Sequence, residues 1–327
     1  MKRGVWYCLC SLVVLVLFLG LTVPVSAAAY PDKPIKVIVP FNPGGMSDTF
    51  TRIFQKALKD VLPQPLVVIN MGGAGGAIGS RKVKDSDPDG YTVLNIHVGL
   101  LTAAALGATE YGPEAFEPVA QTGTTYVVQC VRKDSPFKTL KDLMEAARAK
   151  PDAIKEATNI GAVVHFTSLM LTDAAGGVKL RLVQSGGGAN RTRDLLGGHV
   201  DTSAFSTTEF KPYYDSGEMR ALAILAPERQ ADFPDVPTAR EQGYDVVFGV
   251  GIWWFMPKGT PADRVSTFAD ALEKGMKDPE VQANFKNQTM SPVFKKGEAF
   301  KTQIDAEYKA INAMAEKYKL KEMTKKK

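Results

Sequence analysis

The sequence has few of the residues that most often carry chemistry. It contains only three cysteines and three histidines among 327 residues. Cys8 and Cys10 lie near the N-terminus, ahead of an apolar run that resembles a removable leader, so Cys130 would be left without an intramolecular partner. This excludes an internal disulfide framework. Cys130 stands beside valines in an apolar stretch, where an inert strand residue is favoured over a nucleophile.

Recognisable catalytic and nucleotide-binding motifs are absent from the sequence. There is no H-E-x-x-H, no C-x-x-C and no G-x-S-x-G, and no glycine loop ends in Gly-Lys-Ser/Thr. The loop Gly73-Ala-Gly-Gly-Ala-Ile78 has isoleucine where the dinucleotide fingerprint requires its last glycine. No two histidines have metal-ligand spacing. We therefore predict no catalytic residues, no metal and no cofactor.

The charges are nearly balanced and dispersed along the chain. Lysine and arginine number 40 and aspartate and glutamate 35, for a formal net charge of +5, to which Lys2 and Arg3 contribute two units. A charge this small, spread among acids, argues against nucleic-acid binding. The final lysines, 325–327, are interpreted as a solvated tail.

The first 28 residues have the pattern of a secretory signal peptide. Lys2 and Arg3 form a basic start, residues 12–23 are apolar, and small residues follow at 25–28. This pattern predicts cleavage after Ala27, Ala28 or Ala29 and export of the mature protein. An uncleaved membrane anchor is the alternative, which the small-residue site argues against.

The stretch that follows the leader predicts a strand, a loop and a helix. Residues 35–39 are mostly β-branched, Pro40 to Gly45 have turn chemistry, and apolar residues then recur at helical spacing from Phe50 onward. Ser47 or Asp48 is the predicted N-cap. A helix N-terminus behind a glycine turn attracts anions, because its unpaired N–H groups and its dipole both favour negative charge. A capped turn without a ligand is the alternative.

The same order of elements recurs along the chain. Strands are predicted at 66–70 and 91–96 around a helix at 77–83, which indicates a parallel sheet whose strand ends form a ligand crevice. A second block repeats the scheme, with strands predicted at 158–161, 180–183, 200–204 and 221–224. A capping box at Thr139 predicts a helix ending at Ala149.

The repetition predicts two domains joined by two crossing strands, one near 120–131 and one near 246–253. The first domain would comprise residues 29–125 and 247–327, and the second residues 126–246. Two domains joined in this way close like a hinged clam over a cleft.

Three side chains near the predicted cleft have two interpretations each. His97 ends a strand on the ligand edge, where it either lines the cleft or packs in a loop. His165 stands at a helix start, where it either donates to a carboxylate or is a capping or surface histidine. Asp48 is either an N-cap, which is favoured, or a contact to a cationic or hydroxyl group.

Several motifs together resemble the Bug-type (TctC-like) receptors of tripartite tricarboxylate transporters. The resemblance runs from Tyr30 almost to the C-terminus. It is carried by Tyr30-Pro-Asp-Lys-Pro-Ile35, Val39-Pro-Phe-Asn-Pro-Gly-Gly-Met-Ser-Asp48 with Arg52, Gly73-Ala-Gly-Gly76, Pro88-Asp-Gly-Tyr-Thr92, Leu195-Leu-Gly-Gly-His-Val-Asp201, Pro234-Asp-Val-Pro-Thr238 and Trp254 through Pro257-Lys-Gly-Thr-Pro261.

The resemblance implies an α/β, two-domain periplasmic binding protein fold of type II-like architecture, with two parallel-rich sheets flanked by helices and joined by two crossing strands. It implies a non-enzymatic, monomeric receptor that binds a small carboxylate, either a di- or tricarboxylate or an aromatic or amino-acid carboxylate. The partner would be the integral-membrane permease of the transporter.

In this family, main-chain and hydroxyl groups hold the carboxylate without an arginine clamp. Carried over by position, the ligand-binding residues would be Phe41, Asn42, Gly44, Gly45, Ser47, Asp48, Gly75, Gly76, His97, Ala162, His165, Ser185, Gly186 and Thr207.

Two segments depart from the family pattern. Gln184-Ser185 replaces the usual tyrosine and lysine, and Ala162-Val163-Val164 replaces a Gly/Ser-rich segment. The apolar valine pair suits a ligand with a less polar distal end. Two other functions remain open on this fold: a sensory receptor that reports ligand to a signalling partner, and an enzyme, for which the sequence offers only His165, Asp48 and Ser47.

Overall fold

A computed structural model describes residues 30–325 and contains two groups of strands that share one long strand. The predicted signal peptide, residues 1–28, lies outside the described residues. In the first group, the central strand β1 pairs in parallel with β2 on one side and β3 on the other. These strands and the helices between them are β1 (Ile35–Val39), α1 (Met46–Ala57), β2 (Leu66–Asn70), α2 (Ala77–Lys84), β3 (Thr92–Ile96) and α3 (Gly99–Ala105).

The β-branched run that predicts β1 forms the centre of this first sheet. Ile35, Val37 and Val39 have no exposed surface, as expected for a parallel strand that helices cover on both faces. The strand–loop–helix order therefore places the loops that follow β1, β2 and β3 at one edge of the sheet.

The second group of strands repeats the pattern. β5 pairs in parallel with β6 and β7, while β7 and β8 each pair antiparallel with β4. Its elements are α4 (Leu140–Ala149), β5 (Lys155–Thr158), α5 (Val163–Ala174), β6 (Arg181–Gln184), α6 (Gly188–Leu196), β7 (Thr202–Ser206), α7 (Thr207–Asp215) and β8 (Met219–Ile224).

The long strand β4 (Phe116–Arg132) belongs to both groups. Residues 116–126 pair with β9 (Gly249–Pro257), and residues 127–132 pair with β7 and β8. The chain returns beside it, where the Val127 N–H donates to the Phe248 carbonyl (3.3 Å) just ahead of β9. We propose that these two adjacent crossings form a hinge. The division into a first domain, residues 29–125 and 247–327, and a second domain, residues 126–246, stays a prediction.

The C-terminal elements cover the first group and reach the second. They are α8 (Ala262–Gly275), α9 (Pro279–Asn287), β10 (Lys295–Lys296), α10 (Gly297–Lys317) and α11 (Leu320–Lys325). Lys317, at the end of α10, forms an ion pair with Asp173 of α5. Among residues 30–325, no helix is both long and apolar enough to cross a membrane.

Two local predictions from the sequence are wrong. The N-cap of α1 is Gly45, with extended backbone, and no side chain caps the helix. Asp48 lies one turn inside, where its carboxylate accepts from the Gly44 N–H at 2.8 Å. The strand predicted at 158–161 ends at Thr158. Beyond it, the Ile160 N–H donates to Gln184 Oε1 at 2.7 Å and not to a neighbouring strand, and Gly161 turns the chain with a φ of +89°. The capping box at Thr139 and the end of its helix at Ala149 are confirmed.

A buried acid lies at the centre of the second group. Glu156 of β5 is 1% exposed, and its carboxyl accepts hydrogen bonds from Gln129 Nε2 (3.1 Å) and from the Ser168 hydroxyl. Burial raises the pKa of Glu156 to about 7, although both hydrogen bonds act against the rise. The folded protein therefore keeps Glu156 protonated at a pH where the unfolded chain has released that proton.

We expect the Glu156→Gln variant to lose a pH-dependent term in stability. In the wild type, this residue favours the folded state most below pH 4.5, and the benefit disappears as the pH rises to about 7. Glutamine does not titrate, so between these limits the variant gains about 3 kcal/mol relative to the wild type. Urea unfolding at a series of pH values measures the gain, and exposed Glu316→Gln is the control. Parallel pH profiles for wild type and Glu156→Gln would contradict the prediction.

Candidate functional site

A cavity of about 470 Å³ lies between the two groups of strands. Its wall combines the loop after β1, the end of β3, the middle of β4 and the starts of α5 and α7. The lining residues are Gly44, Met46, Thr49, Phe50, His97, Thr125, Val127, Ala162, Val163, Val164, Arg191, Ser206, Thr208, Glu209, Val250, Gln288 and Met290. Of the predicted ligand-binding residues, Gly44, His97 and Ala162 are in this set.

The N-terminus of α1 faces the cavity without a side-chain cap. Gly44 turns the chain with a φ of +84°, and Gly45 enters the helix with extended backbone and no capping side chain. The first N–H groups of α1, at Met46 on the cavity wall, therefore have no side-chain acceptor at the cap. This arrangement favours an anion.

The carboxylate of Asp48 is hydrogen-bonded to other groups of the protein. Its carboxylate accepts from Arg52 Nε (3.0 Å), Asn70 Nδ2 (3.0 Å) and the Gly44 N–H (2.8 Å). Burial would raise the pKa of Asp48, but the hydrogen bonds from Arg52, Gly44 and Asn70 outweigh it and hold the pKa below its usual value. Asn70 also donates to the Phe41 carbonyl at 3.1 Å. Asp48 therefore fixes the shape of the loop from inside.

His97 presents one N–H donor at the cavity. Its Nδ1 accepts from the Gly99 N–H at 2.9 Å, so the neutral ring carries its proton on Nε2. The ring stacks on Phe41 with 4.7 Å between centroids and 7° between planes. Burial lowers the pKa of His97 to about 4, which makes the ring a neutral donor at neutral pH.

The N-terminus of α5 faces the cavity from the second group. Ala162 is its N-cap, with extended backbone and no capping side chain, and Ala162, Val163 and Val164 all line the wall. His165 is buried one residue further on, and its Nδ1 accepts from the Gly161 N–H at 3.2 Å. The structure thus places His165 behind the wall that Ala162 forms.

The loop between β6 and α6 does not line the cavity itself, but it holds the Arg191 side chain of α6, which does. The N–H groups of Ser185 and Gly186 donate to the Thr158 carbonyl at 2.9 and 3.3 Å, and neither residue lines the cavity. Arg191 does line it, and its Nη1 donates to the Gly186 carbonyl at 3.0 Å. Gly186 thereby holds Arg191.

Thr207 belongs to a contact between the two groups of strands. Its hydroxyl is 2.6 Å from that of Thr125 and donates to the Thr289 carbonyl at 3.0 Å. The adjacent Thr208 lines the cavity and donates to the Gln288 carbonyl at 2.6 Å. The start of α7 is therefore tied to the segment after α9 at the edge of the cavity.

The remaining predicted residues support the loops. Ser47 is buried, and its hydroxyl has no hydrogen-bond partner among the described residues. Gly76, with a φ of +98°, is the N-cap of α2, and a Cβ there would be 3.5 Å from the Phe41 ring. Asn42 and Gly75 are exposed. A Cβ at Gly72 would lie 2.6 Å from the Asn42 Oδ1, so Asn42 packs closely on that loop.

The sequence analysis did not identify Arg191 and Glu209, which line the cavity from the side of the second group of strands. Arg191 is 5% exposed and lies on the same face of α6 as Leu195, which is completely buried. A charged residue four positions from a core leucine is the signal that could have identified it. In the described part of the chain, the cavity included, no group of three or more His, Cys, Asp or Glu side chains could hold a metal ion.

Comparison with known proteins gives consistent matches. A family model described as "Tripartite tricarboxylate transporter family receptor" matches residues 50–320. Protein BugT of Bordetella pertussis is 32% identical over 281 residues, which cover 84% of this chain and 86% of BugT. The TctC solute binding protein from Polaromonas is 30% identical with a TM-score of 0.80, over 88% of this chain and 99% of that one. MatC from Rhodopseudomonas palustris, solved with bound malate, is 28% identical with a TM-score of 0.71, over 87% and 99%.

We expect His97 to stay neutral, with its proton on Nε2, from pH 8 down to about pH 5. Burial lowers its pKa to about 4, and the Gly99 N–H keeps Nδ1 as an acceptor. Long-range ¹H–¹⁵N correlation spectra report the tautomer directly, and the His97→Gln variant identifies the His97 signals by their loss. Conversion of His97 to the doubly protonated form near pH 6.5 would contradict this assignment.

Proposed function

Because the chain belongs to the tripartite tricarboxylate transporter receptor family, we propose that it captures a small carboxylate in the cavity and delivers it to an integral-membrane permease. The family match covers residues 50–320 and bears out the resemblance inferred from the sequence motifs. The chain has the α/β fold of periplasmic binding proteins, and it is a solute receptor rather than an enzyme.

The single observation that best supports carboxylate capture is the pair of uncapped helix N-termini at the cavity. α1 begins at Gly45 on one side and α5 at Ala162 on the other. Both direct main-chain N–H groups and positive dipole ends at the same space, and His97 adds a neutral donor. MatC, the 28% identical relative, was solved with bound malate, which supports a carboxylate of similar size.

The hydrogen bonds available are sufficient for a transport receptor. About four charge-assisted hydrogen bonds, each worth roughly 1.5–3 kcal/mol, supply ~6–12 kcal/mol. Micromolar affinity needs about 8 kcal/mol. The ligand would therefore be bound tightly enough to be collected from dilute solution, and loosely enough to be released once the domains reopen.

Capture by closure follows from the two adjacent crossings between the groups of strands. A ligand that contacts α1 on one side and α5 on the other stabilises the closed arrangement over the open one. We propose that the protein acts as a monomer of two domains. The first comprises residues 29–125 and 247–327, and the second residues 126–246. We also propose that the mature chain reaches the periplasm by cleavage of the predicted signal peptide.

We expect a thermal-shift screen of mono-, di- and tricarboxylates, aromatic ones included, to identify at least one stabilising ligand. At about 100 times its dissociation constant, a ligand adds about 2.7 kcal/mol to the free energy of unfolding. The chemically unchanged ligand should be recovered afterwards. If no carboxylate raises the melting temperature while an uncharged or cationic solute does, the proposed function is wrong.

We expect Met46→Glu to weaken carboxylate binding more than a neutral substitution at the same position. Met46 is the first residue of α1 and lines the cavity, so a carboxylate there interacts favourably with the helix dipole, by about 0.3–1 kcal/mol. It also repels the ligand, and we expect roughly a tenfold or greater loss of affinity. Isothermal titration calorimetry with the ligand found in the screen measures the loss.

Met46→Gln is the matched control, because it has the size of glutamate without the charge. Binding that is equally weak in both variants would mean that the methionine side chain acts by packing, and would argue against an anion at the N-terminus of α1.

A further inference from the structure

Arg191 is a buried cation on the wall of the cavity. The residue is 5% exposed, and it lies on α6, in the second group of strands, across the cavity from the loop after β1. Its guanidinium carbon is 5.2 Å from the centre of the Phe205 ring, which supports one face of the planar group. A buried guanidinium remains charged, so it needs an anionic or hydrogen-bonding partner.

The hydrogen bonds of Arg191 are incomplete. Nη1 donates to the Gly186 carbonyl at 3.0 Å. Nη2 has Glu209 Oε2 at 3.6 Å, which is an ion pair but longer than a hydrogen bond. Nε has no hydrogen-bond partner among the described residues. Nε and Nη2 form the edge of a guanidinium that binds a carboxylate with two parallel hydrogen bonds.

Glu209 is already used by the helix that carries it. Its carboxylate accepts from the Ser206 N–H (3.0 Å) and the Ser206 hydroxyl (3.1 Å) as part of the capping box of α7. It also lies in the first turn of α7, where the helix dipole stabilises its charge. Glu209 therefore balances the charge of Arg191 only partly in the absence of ligand.

The wall between the two ends of the cavity is apolar. Eight hydrophobic residues are among those that line the cavity: Met46, Phe50, Val127, Ala162, Val163, Val164, Val250 and Met290. Arg191 and Glu209 are the only Lys, Arg, Asp or Glu residues among the lining residues. A ligand that matches this distribution has charged ends and a spacer with few polar groups.

We propose that Arg191 is a specificity-determining residue that binds a second anionic group of the ligand, opposite the carboxylate at the N-terminus of α1. This proposal rests on the proposed function and narrows it to ligands with a carboxylate at each end of an apolar spacer. The second anion supplies the Arg191 guanidinium with the acceptor it lacks, and it links the two sides of the cavity through one molecule.

The test compares ligands of equal length that differ only at the distal end. Succinate, glutarate and adipate are each titrated calorimetrically beside the monocarboxylate and the ω-amino acid with the same number of carbons. For the best-fitting length, we expect the wild type to prefer the dicarboxylate by roughly 10- to 100-fold, the range that one charge-assisted pair supplies. A preference for the ω-amino acid would assign the distal contact to Glu209 and overturn the proposal.

Arg191→Met should reduce the preference for the dicarboxylate over the monocarboxylate to about threefold or less. The matched control is Arg193→Met on the same helix, where the side chain is 72% exposed, and it should keep the wild-type preference. Arg191→Lys, which keeps the charge but lacks the planar fork, should lose roughly tenfold for the dicarboxylate alone. If Arg191→Met does not fold, the comparison of Arg191→Lys with the wild type tests the proposal.

Two results would overturn the role of Arg191 and leave the proposed function intact. One is a wild type that binds mono- and dicarboxylates equally well. The other is a loss of affinity in the Arg191 variants that is the same for both classes, which would assign Arg191 a structural role. Failure of every carboxylate to bind the wild type would instead overturn the proposed function itself.

Discussion

The position of the cavity depends on β4, the strand that both groups share. Its first part pairs with β9 and its second part with β7 and β8, so one continuous backbone joins the two groups. The carboxyl ends of parallel strands on either side consequently open toward the same space. We propose that a small rotation about this shared strand and the adjacent return of the chain changes the width of the cavity without unfolding either side.

The same geometry explains why main-chain groups are available at the cavity. Each βα connection ends with a helix N-terminus, and at α1 and α5 the N-caps are Gly45 and Ala162, which have no capping side chain. Among the described helices, α4, α7 and α9 have side-chain caps at Thr139, Ser206 and Asp278, whereas α2, α3, α6, α8 and α10, like α1 and α5, have none. Compared with Ser, Thr, Asp or Asn at the N-cap, an alanine such as Ala162 lowers helix stability by about 1 kcal/mol and a glycine such as Gly45 by a few tenths. That cost is offset when a ligand anion supplies the missing acceptor, so the ligand and the helix stabilise each other.

The strand–loop–helix order could be predicted from the sequence because it is a local property. The β-branched run of β1 and the capping box at Thr139 each depend on a few adjacent residues. The N-cap of α1 differs from the prediction because the Asp48 carboxylate accepts hydrogen bonds from Gly44, Arg52 and the distant Asn70 and not from the first N–H groups of the helix. The contribution of Gln288 and Met290 to the cavity has no local signal, since it depends on how α9 packs against the second group.

Glu156 and Arg191, both buried in the second group of strands, show how burial leads to different outcomes. Glu156 accepts hydrogen bonds from Gln129 and Ser168 and becomes neutral, since burial raises the pKa of its carboxyl to about 7. Burial lowers the pKa of Arg191 as well, but a guanidinium stays protonated in proteins, so arginine does not have this option. The charge of Arg191 must therefore be balanced by another group. In a core, evolution would supply a complete set of partners. At Arg191 one nitrogen lacks an acceptor and the nearest carboxylate already caps a helix, and such an incomplete set is the expected condition of a residue whose remaining partner arrives with the ligand.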